Sequence, residues 1–312
     1  MADKRVGKLK GFFKEMNKNR YVYLLAVPGI VFLLVFHYLP MLGLIIAFQD
    51  FNAVKGITGS EFVGLENFKI LVNSPSIGKV LYNTVFLNVL FIAVGMLASI
   101  VIAILLNEIA HKFFKKFTQT VLILPHFVSW TIAAMITIPF LSSDGGLINS
   151  VLENFNLETI SFYRSPEVWP SILVSMNVWK EAGFGSVIYL ATITGIDSQI
   201  YEAARIDGAN RIKTIRYIIL PLLKNTALLL LLLRVGKIFY GNFGLIYPMV
   251  GSNSLLYPTT DIIDTFVYRA LMELGDMGMS TAVGLTQSVM GFVFVILTNS
   301  IVKKFNPESA IF

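Results

Sequence analysis

The chain of 312 residues contains no cysteine and few charged residues. Without cysteine it can form no disulfide, no thiolate nucleophile and no cysteine-ligated metal site. Charged residues make up 14% of the chain, whereas soluble domains carry about 25%. The sequence also has neither a Walker-type phosphate loop nor an HExxH zinc motif. We therefore expect this chain neither to bind ATP nor to act as a metalloprotease.

Apolar residues are abundant instead: they make up 55% of the chain, and the mean hydropathy is +0.70. A bilayer core about 30 Å thick requires about 20 mainly apolar residues to cross it as a helix. Six runs of sufficient length occur, at residues 21–48, 80–106, 117–141, 168–196, 226–250 and 281–302. The sequence therefore predicts an all-α integral membrane protein with six transmembrane helices.

These runs form one membrane domain, residues 21–302, between a basic tail (1–20) and a short second tail (303–312). The first run contains Pro28 and Pro40 and lacks a cleavage site of small residues. We therefore do not expect a removable signal peptide.

The positions of Lys and Arg predict the orientation, because positively charged short loops remain in the cytoplasm. Of the 25 such residues, 17 fall in the two tails and in the loops after the second and fourth runs, while the other three loops hold five. Both tails are therefore predicted to be cytoplasmic. This placement accounts for the net charge of +6 without a nucleic-acid partner.

The loop after the fourth run, residues 197–221, has the pattern of two short helices at the membrane surface. Asp197 or Ser198 can cap the first helix, and Gly208 can end it in a left-handed turn. A second stretch carries isoleucines at helical spacing, and Pro221 then restarts the chain into the fifth span. The loop thus predicts a helical elbow, the name used below for residues 197–221.

The residues of the elbow also match a family motif. Glu202-Ala203-Ala204 is followed after three residues by Gly208, and after nine more by Ile218-x-Leu220-Pro221. This spacing resembles the signature loop of permease subunits of binding-protein-dependent ABC importers, in the sugar branch that includes the maltose importer. Residues 243–247 and 259–265 resemble permeases for oligosaccharides released from polysaccharides.

The resemblance implies type I importer architecture, in which the elbow is the coupling helix seated on an ATPase. The residues assigned to ATPase coupling are Glu202, Ala203, Ala204, Asp207, Gly208, Leu220 and Pro221. The implied partners are a second permease, expected to form a heterodimer, two copies of a cytoplasmic ATPase, an extracytoplasmic solute-binding protein, an oligosaccharide and membrane lipid. This chain binds no cofactor in that scheme, since ATP and Mg belong to the ATPase.

Four charges fall inside the predicted spans. Lys180 and Glu181 lie midway along the fourth, and Arg234 and Lys237 lie about 14 to 18 Å into the fifth at 1.5 Å per residue. Each charge at that depth costs at least about 2.5 to 3.5 kcal/mol. We expect these groups to face a cavity or a partner, either as part of the substrate pathway or as an ion pair of Glu181 with Arg234 or Lys237. Snorkelling of the long side chains to the membrane surface is the remaining alternative.

Two neighbouring positions extend the predicted pathway. In a continuous helix Arg234, Lys237 and Gly241 share one face, and so do Asn177 and Lys180. Glu181 can neutralise only one of the three cations. Unless the second permease supplies the missing carboxylates, the surplus of positive charge would favour an anionic ligand such as a uronic-acid oligosaccharide. Two other functions compete with that of an ABC permease. The chain could be an ion-coupled secondary transporter of small polar solutes, in which charges inside the membrane are also expected, or a scaffold without a substrate.

Overall fold

The structure is a computed structural model that describes residues 18–305, so the N-terminal tail and the last residues lie almost wholly outside it. Helices account for nearly all of its regular structure, as predicted. The principal helices are α1 (Arg20–Phe48), α2 (Glu66–Asn73), α3 (Ile77–Glu108), α4 (Lys112–Phe127), α5 (Trp130–Phe140), α6 (Leu147–Asn154), α7 (Trp169–Thr194), α8 (Ser198–Ile206), α9 (Arg211–Val235), α10 (Phe243–Val250), α11 (Ile263–Met272) and α12 (Met277–Phe305). Shorter helical turns are Gly56–Gly59, Phe162–Arg164, Pro166–Val168, Ser254–Leu256 and Tyr257–Thr260.

One small antiparallel hairpin follows α1. Strand β1 (Gln49–Asp50) pairs with β2 (Glu61–Phe62), so that Gln49 lies opposite Phe62. The buried amide of Asn67, on α2, donates to the Gln49 carbonyl at 3.0 Å. The hairpin is thereby tied to the helix that follows it.

The core lies between α3 and α7, which form the most extensive helix pair in the described part of the chain. Helix α7 buries Trp169, Leu173 and Tyr189 on the face that meets its neighbours. Helix α4 approaches α7 so closely that a Cβ at Gly183 would overlap the Leu122 carbonyl. Close packing of this kind depends on small residues at the crossing points.

Large apolar side chains cover much of the outer surface, as expected for a protein whose solvent is lipid. Within residues 18–305, four helices are long and apolar enough to cross a membrane, at Arg20–Phe48, Ile77–Glu108, Arg211–Val235 and Met277–Lys304. A fifth span results if the bent pair of α4 and α5 is counted as one. Helix α7 is 26 residues long but carries the Lys180–Glu181 pair, and the count of six spans remains a prediction.

Two predicted spans are not continuous helices. The run at 117–141 divides at Val128 and Ser129, where α4 and α5 meet at 96°; we call this the first break. The run at 226–250 divides at residues 236–242 between α9 and α10; we call this the second break. Ser129 caps α5 by accepting a hydrogen bond from the Ile132 N–H at 3.2 Å, which explains why a new helix starts there.

Candidate functional site

The elbow consists of α8, a tight turn and the start of α9. The Asp197 carboxylate caps α8 by accepting from the Gln199 N–H at 3.0 Å, as the sequence predicts. The Asn210 side chain caps α9 in the same way, accepting from the Lys213 N–H at 2.9 Å. Both helices of the elbow therefore begin at a side chain that satisfies their first free N–H groups.

Gly208 ends α8 with a φ of +74°, which confirms the predicted left-handed turn. Its N–H donates to the Arg205 carbonyl at 3.1 Å, and the Ala209 N–H donates to the Ala204 carbonyl at 2.9 Å. This pair of bonds is the Schellman arrangement, which uses up carbonyls that a helix end otherwise leaves free. A Cβ at Gly208 would meet nothing within 4 Å, so only the backbone conformation demands glycine here.

The outer surface of the elbow is exposed and apolar between its charges. Ile206 is 87% exposed and Ile212 74% exposed, while Glu202 and Ala203 are also exposed. Exposed apolar surface of this kind marks contact with another protein or with a membrane. The geometry therefore suits the predicted contact with an ATPase, which stays a prediction for each residue.

Pro221 does not restart the chain into a new helix, contrary to expectation. Helix α9 runs without interruption from Arg211 to Val235, and Leu220 and Pro221 lie inside it. The turn just before the proline, Ile215–Ile219, is π-helical. Wider winding there accommodates a proline ring that would otherwise clash with the preceding turn.

A cavity of about 670 Å³ separates the elbow from the end of α3. Across this gap, the Arg211 Nε lies 3.7 Å from the Glu108 Oε2. The Tyr201 hydroxyl is buried beside it and has no hydrogen-bond partner among residues 18–305. Polar contacts between the elbow and the end of α3 are thus few, while Tyr201, Ile215 and Ile219 of the elbow pack into an apolar cluster that includes Leu106 of α3.

Lys180 is buried at the first break and is only 6% exposed. Its Nζ donates to the His126 carbonyl at 2.5 Å and lies 5.2 Å from the centre of the Trp130 ring. The break frees backbone carbonyls that lipid cannot hydrate. Lys180 satisfies one of them, so its geometry favours a structural role over the predicted pathway role.

Glu181 also serves the first break. Its Oε2 lies 3.0 Å from the His126 Nδ1 and its Oε1 lies 3.8 Å from the Lys180 Nζ. The alternative in which Glu181 pairs with Arg234 or Lys237 is wrong, because both of its oxygens are directed to the first break. The His126 ring is held further by stacking on Phe184, with ring centres 4.1 Å apart.

The two remaining cations lie at the start of the second break, Arg234 just before it and Lys237 inside it. The sequence predicts one helix face for Arg234, Lys237 and Gly241. This prediction is wrong for Lys237 and Gly241, because α9 ends at Val235. Lys237 is exposed, and Arg234 is half-buried. Within residues 18–305, neither forms an ion pair with a carboxylate.

Small residues surround the Arg234 guanidinium. A Cβ added at Gly95 of α3 or at Gly185 of α7 would lie 3.9 Å from one of its nitrogens. Asn177 faces the same glycine, since its Oδ1 would lie 3.8 Å from that Cβ at Gly95. The Tyr189 hydroxyl of α7 is buried without a hydrogen-bond partner in the described residues. Arg234 and Asn177, which the sequence placed in two separate groups, thus both lie beside Gly95.

Gly241 has a packing role that the sequence did not reveal. A Cβ there would overlap the Ile262 side chain and lie 2.8 Å from the Asp264 Oδ2. That same oxygen accepts from the Gly241 N–H at 2.6 Å. Burial raises the pKa of the Asp264 carboxyl, while its hydrogen bonds from Gly241 and Gln287 act in the opposite direction.

Comparison with known proteins decides the family. The profile of binding-protein-dependent transport system inner membrane components matches residues 92–307. This chain belongs to that family. Its members are permease subunits and are not themselves catalytic, consistent with the absence of a phosphate loop in this permease.

Several relatives resemble this permease along nearly its whole length. The polygalacturonan/rhamnogalacturonan transport system permease protein YteP of Bacillus subtilis (strain 168) is 38% identical over 96% of this chain and 93% of its own. Protein LplB of the same organism is 37% identical over 97% of this chain and 94% of its own. A similar fold occurs in the crystal structure of a bacterial alginate ABC transporter in complex with an alginate pentasaccharide-bound periplasmic protein. One chain of that structure superposes on this permease with a TM-score of 0.85 and is 32% identical to it in sequence. The match covers 94% of this permease and 97% of that chain.

Sequence reasoning missed the side chains that hold the two breaks of the permease. These residues are Asn88, His126, Asp264 and Gln287. At the second break, the Asn88 Nδ2 donates to the Ile238 carbonyl at 3.0 Å and the Gln287 Nε2 donates to the Phe239 carbonyl at 2.6 Å. Asn88 and Gln287 are amides within apolar runs, and amides inside a membrane find hydrogen-bond partners on neighbouring helices. That signal was available, although it could not indicate which backbone groups were free.

Proposed function

We propose that this permease imports acidic oligosaccharides derived from polysaccharides, together with a second permease, two ATPase subunits and an extracytoplasmic binding protein. The observation that carries the proposal is the pair of cations at the second break. Arg234 and Lys237 have no carboxylate partner among residues 18–305, whereas Lys180 has both an acceptor and a nearby carboxylate.

An uncompensated cation inside a membrane is expensive unless an anion or water reaches it. A substrate that carries carboxylates would provide such an anion during its passage. The similarity to a transporter that imports the acidic polysaccharide alginate, and to a polygalacturonan/rhamnogalacturonan transport permease, supports this choice. Family membership argues against the ion-coupled secondary transporter.

Alternating access supplies the mechanism. Closure of the ATPase pair around ATP would displace the elbow, and the continuous helix α9 would carry that displacement to the second break. Because no interruption separates Arg211 from Val235, the two sites would move as one rigid element. The inward-open cavity would then become outward-open and accept substrate from the binding protein.

The test is ATP-dependent uptake by the complete complex reconstituted in vesicles. We expect uptake of uronic-acid oligosaccharides that requires the ATPase and the binding protein. Uptake driven by an ion gradient without ATP, or uptake of neutral oligosaccharides alone, would overturn the proposal.

The orientation can be tested separately, because the native chain has no cysteine. A cysteine at Gly59 or Asn253 should react with an impermeant thiol reagent added outside the cell, and one at Lys213 should not. The reverse pattern would place the elbow outside and exclude contact with a cytoplasmic ATPase.

A further inference from the structure

Helix α4 begins with a run of alternating basic and aromatic residues on the same side of the membrane as the elbow. Its first six residues are Lys112-Phe113-Phe114-Lys115-Lys116-Phe117; we call them the basic run. The loop just before the run contributes Ala110 to the cavity that the elbow also lines. The His111 Nδ1 caps the helix by accepting from the Phe114 N–H at 3.3 Å, which fixes the residue at which the run starts.

The charge of the basic run opposes the dipole of its own helix. The N-terminal end of a helix is itself positive, so cations there are unfavourable unless an anion lies close. The first turn of α4 contains no acidic residue, and the sequence has none between Glu108 and Asp144. In the described part of the chain no lysine of the run forms an ion pair, and Glu108 is directed to Arg211. An anion from outside the chain would therefore stabilise the start of α4.

Two of the three lysines lie on the outer side of the helix. Lys112 and Lys116 are exposed, whereas Lys115 is partly buried. A spacing of seven residues places Lys115 on the side of Leu122, whose carbonyl approaches Gly183 of α7. Lys112 and Lys116 are four residues apart and are neighbours on the helix surface, so both can donate to the same phosphate.

An apolar stripe runs along α4 beside these two lysines. Phe113 and Phe117 are 76% and 59% exposed, and Val121 and Leu124 continue the stripe at 51% and 63%. Their spacing of four, four and three residues keeps all of them on one helix face. At 1.5 Å per residue the stripe extends about 16 Å from the first turn into the span. A soluble subunit reaches only the first turn, whereas a phospholipid covers the whole length.

The charge of the run also favours a lipid over a second membrane protein. A protein partner would have to place carboxylates at the edge of the bilayer, where removing them from water is costly. The phosphates of anionic lipids are already at that depth and attract basic segments there. Aromatic side chains next to lysines are typical of helices that lie at the boundary between headgroups and acyl chains.

We propose that the start of α4 is a binding site for an anionic phospholipid of the leaflet on the elbow's side. Lys112 and Lys116 donate to the phosphate, and Phe113 and Phe117 pack against the upper acyl chains. This leaflet is the one that the distribution of Lys and Arg predicts to be cytoplasmic. The proposal is independent of the substrate, and it assigns a ligand to a segment that the import mechanism does not use.

The test measures lipid selectivity at this site in the complete complex, reconstituted in nanodiscs with the other subunits in cysteine-free form. A fluorophore attached to Val121→Cys places a probe on the apolar stripe, since the native chain has no cysteine. Quenching is compared for phosphatidylglycerol and phosphatidylcholine that carry the same brominated acyl chains. We expect phosphatidylglycerol to be preferred at the probe.

Variants of the two lysines assign the preference to this site. Each lysine near an anionic surface changes the affinity by about fivefold. We therefore expect Lys116→Gln to lower the preference by about that factor, and the double variant Lys112→Gln with Lys116→Gln to remove it. Lys112→Arg with Lys116→Arg should retain it. Lys55→Gln, which removes an exposed charge from the loop after α1, is the matched control and should change nothing.

Equal quenching by the two lipids, with both lysines present, would overturn the site. Weak quenching by either lipid would mean that the second permease covers the stripe, and would overturn it as well. An equal loss of preference in Lys55→Gln would assign the effect to overall charge. A measurement that needs no change to the lysines is a salt titration, because higher ionic strength should reduce the preference for phosphatidylglycerol. A preference that salt leaves unchanged would refute the role of the lysines.

Discussion

The two breaks interrupt predicted spans in similar ways but use their cations differently. At the first break, Lys180 is buried and donates to the His126 carbonyl, with Glu181 close by. At the second break, neutral amides satisfy the carbonyls, and Arg234 and Lys237 are left without a carboxylate among residues 18–305.

The difference shows that a charge inside a membrane span is not by itself a sign of a ligand site. What matters is whether the surrounding chain already supplies its partners. Lys180 serves the chain's own backbone, so its cost is offset internally. The cations of the second break remain available to a group from outside the chain.

The largest expected effect is that of Lys180→Met at the first break. It would leave the His126 carbonyl unsatisfied and Glu181 without its cation, and breaking a buried charged contact costs about 3 to 5 kcal/mol. We expect a lower melting temperature and a poor yield of the assembled complex, measured after purification in detergent. Lys237→Met, which removes an exposed charge, is the matched control and should assemble normally.

Normal assembly of Lys180→Met with selective loss of acidic substrate uptake would reverse the roles assigned to the two breaks. It would mean that Lys180 contacts substrate despite its burial.

A variant of the elbow sharpens the comparison, because it should affect both substrate types equally. Gly208→Val forces a β-branched residue into a left-handed conformation, at a cost of about 1 to 3 kcal/mol. We expect reduced uptake of acidic and neutral oligosaccharides alike and a weakened stimulation of ATPase activity by substrate.

Gly145 provides the control for backbone strain, since its φ is +67° and a Cβ there also meets nothing within 4 Å. Gly145→Val should retain transport, and Gly208→Asn should recover part of the loss because asparagine tolerates this conformation. An equal loss of uptake in Gly145→Val and Gly208→Val would mean that Gly208→Val acts through general instability and not through the elbow.

The smallest expected effect is that of Glu181→Gln, which keeps an acceptor for His126 and removes only the charge 3.8 Å from Lys180. A change of about 1 kcal/mol in stability is expected, visible as a small shift in melting temperature. A marked change in the preference between acidic and neutral substrates would contradict the separation of the two breaks.

Much of the fold follows from the sequence, because lipid requires long apolar helices and these leave a clear pattern. The caps at Asp197 and the turn at Gly208 were predicted for local reasons, since each depends on residues adjacent in the chain. The breaks at 128–129 and 236–242 were not predicted. Their apolar composition resembles a continuous span, and helix ends there depend on partners far away in sequence.

The candidate site at the second break could be anticipated only in part, because local sequence shows the charges but not their distant partners. Charge and depth identified Arg234 and Lys237, but the assumption of a straight helix gave a wrong face for Lys237 and Gly241. The predicted partner of Glu181 was also wrong. Its partner His126 lies 55 residues away in the chain, and no local spacing links the two residues. Long-range hydrogen bonds of this kind can be found only once the helices are packed.

The most direct test of the central claim compares uptake of a uronic-acid oligosaccharide with that of a neutral oligosaccharide of equal length by the reconstituted complex. The complexes contain the native chain, Arg234→Gln or Lys237→Gln. Loss of one charged hydrogen bond should raise the KM for the acidic substrate by about tenfold and change that for the neutral substrate little. An equal loss of uptake for both substrates would contradict the assignment of the second break to carboxylate recognition.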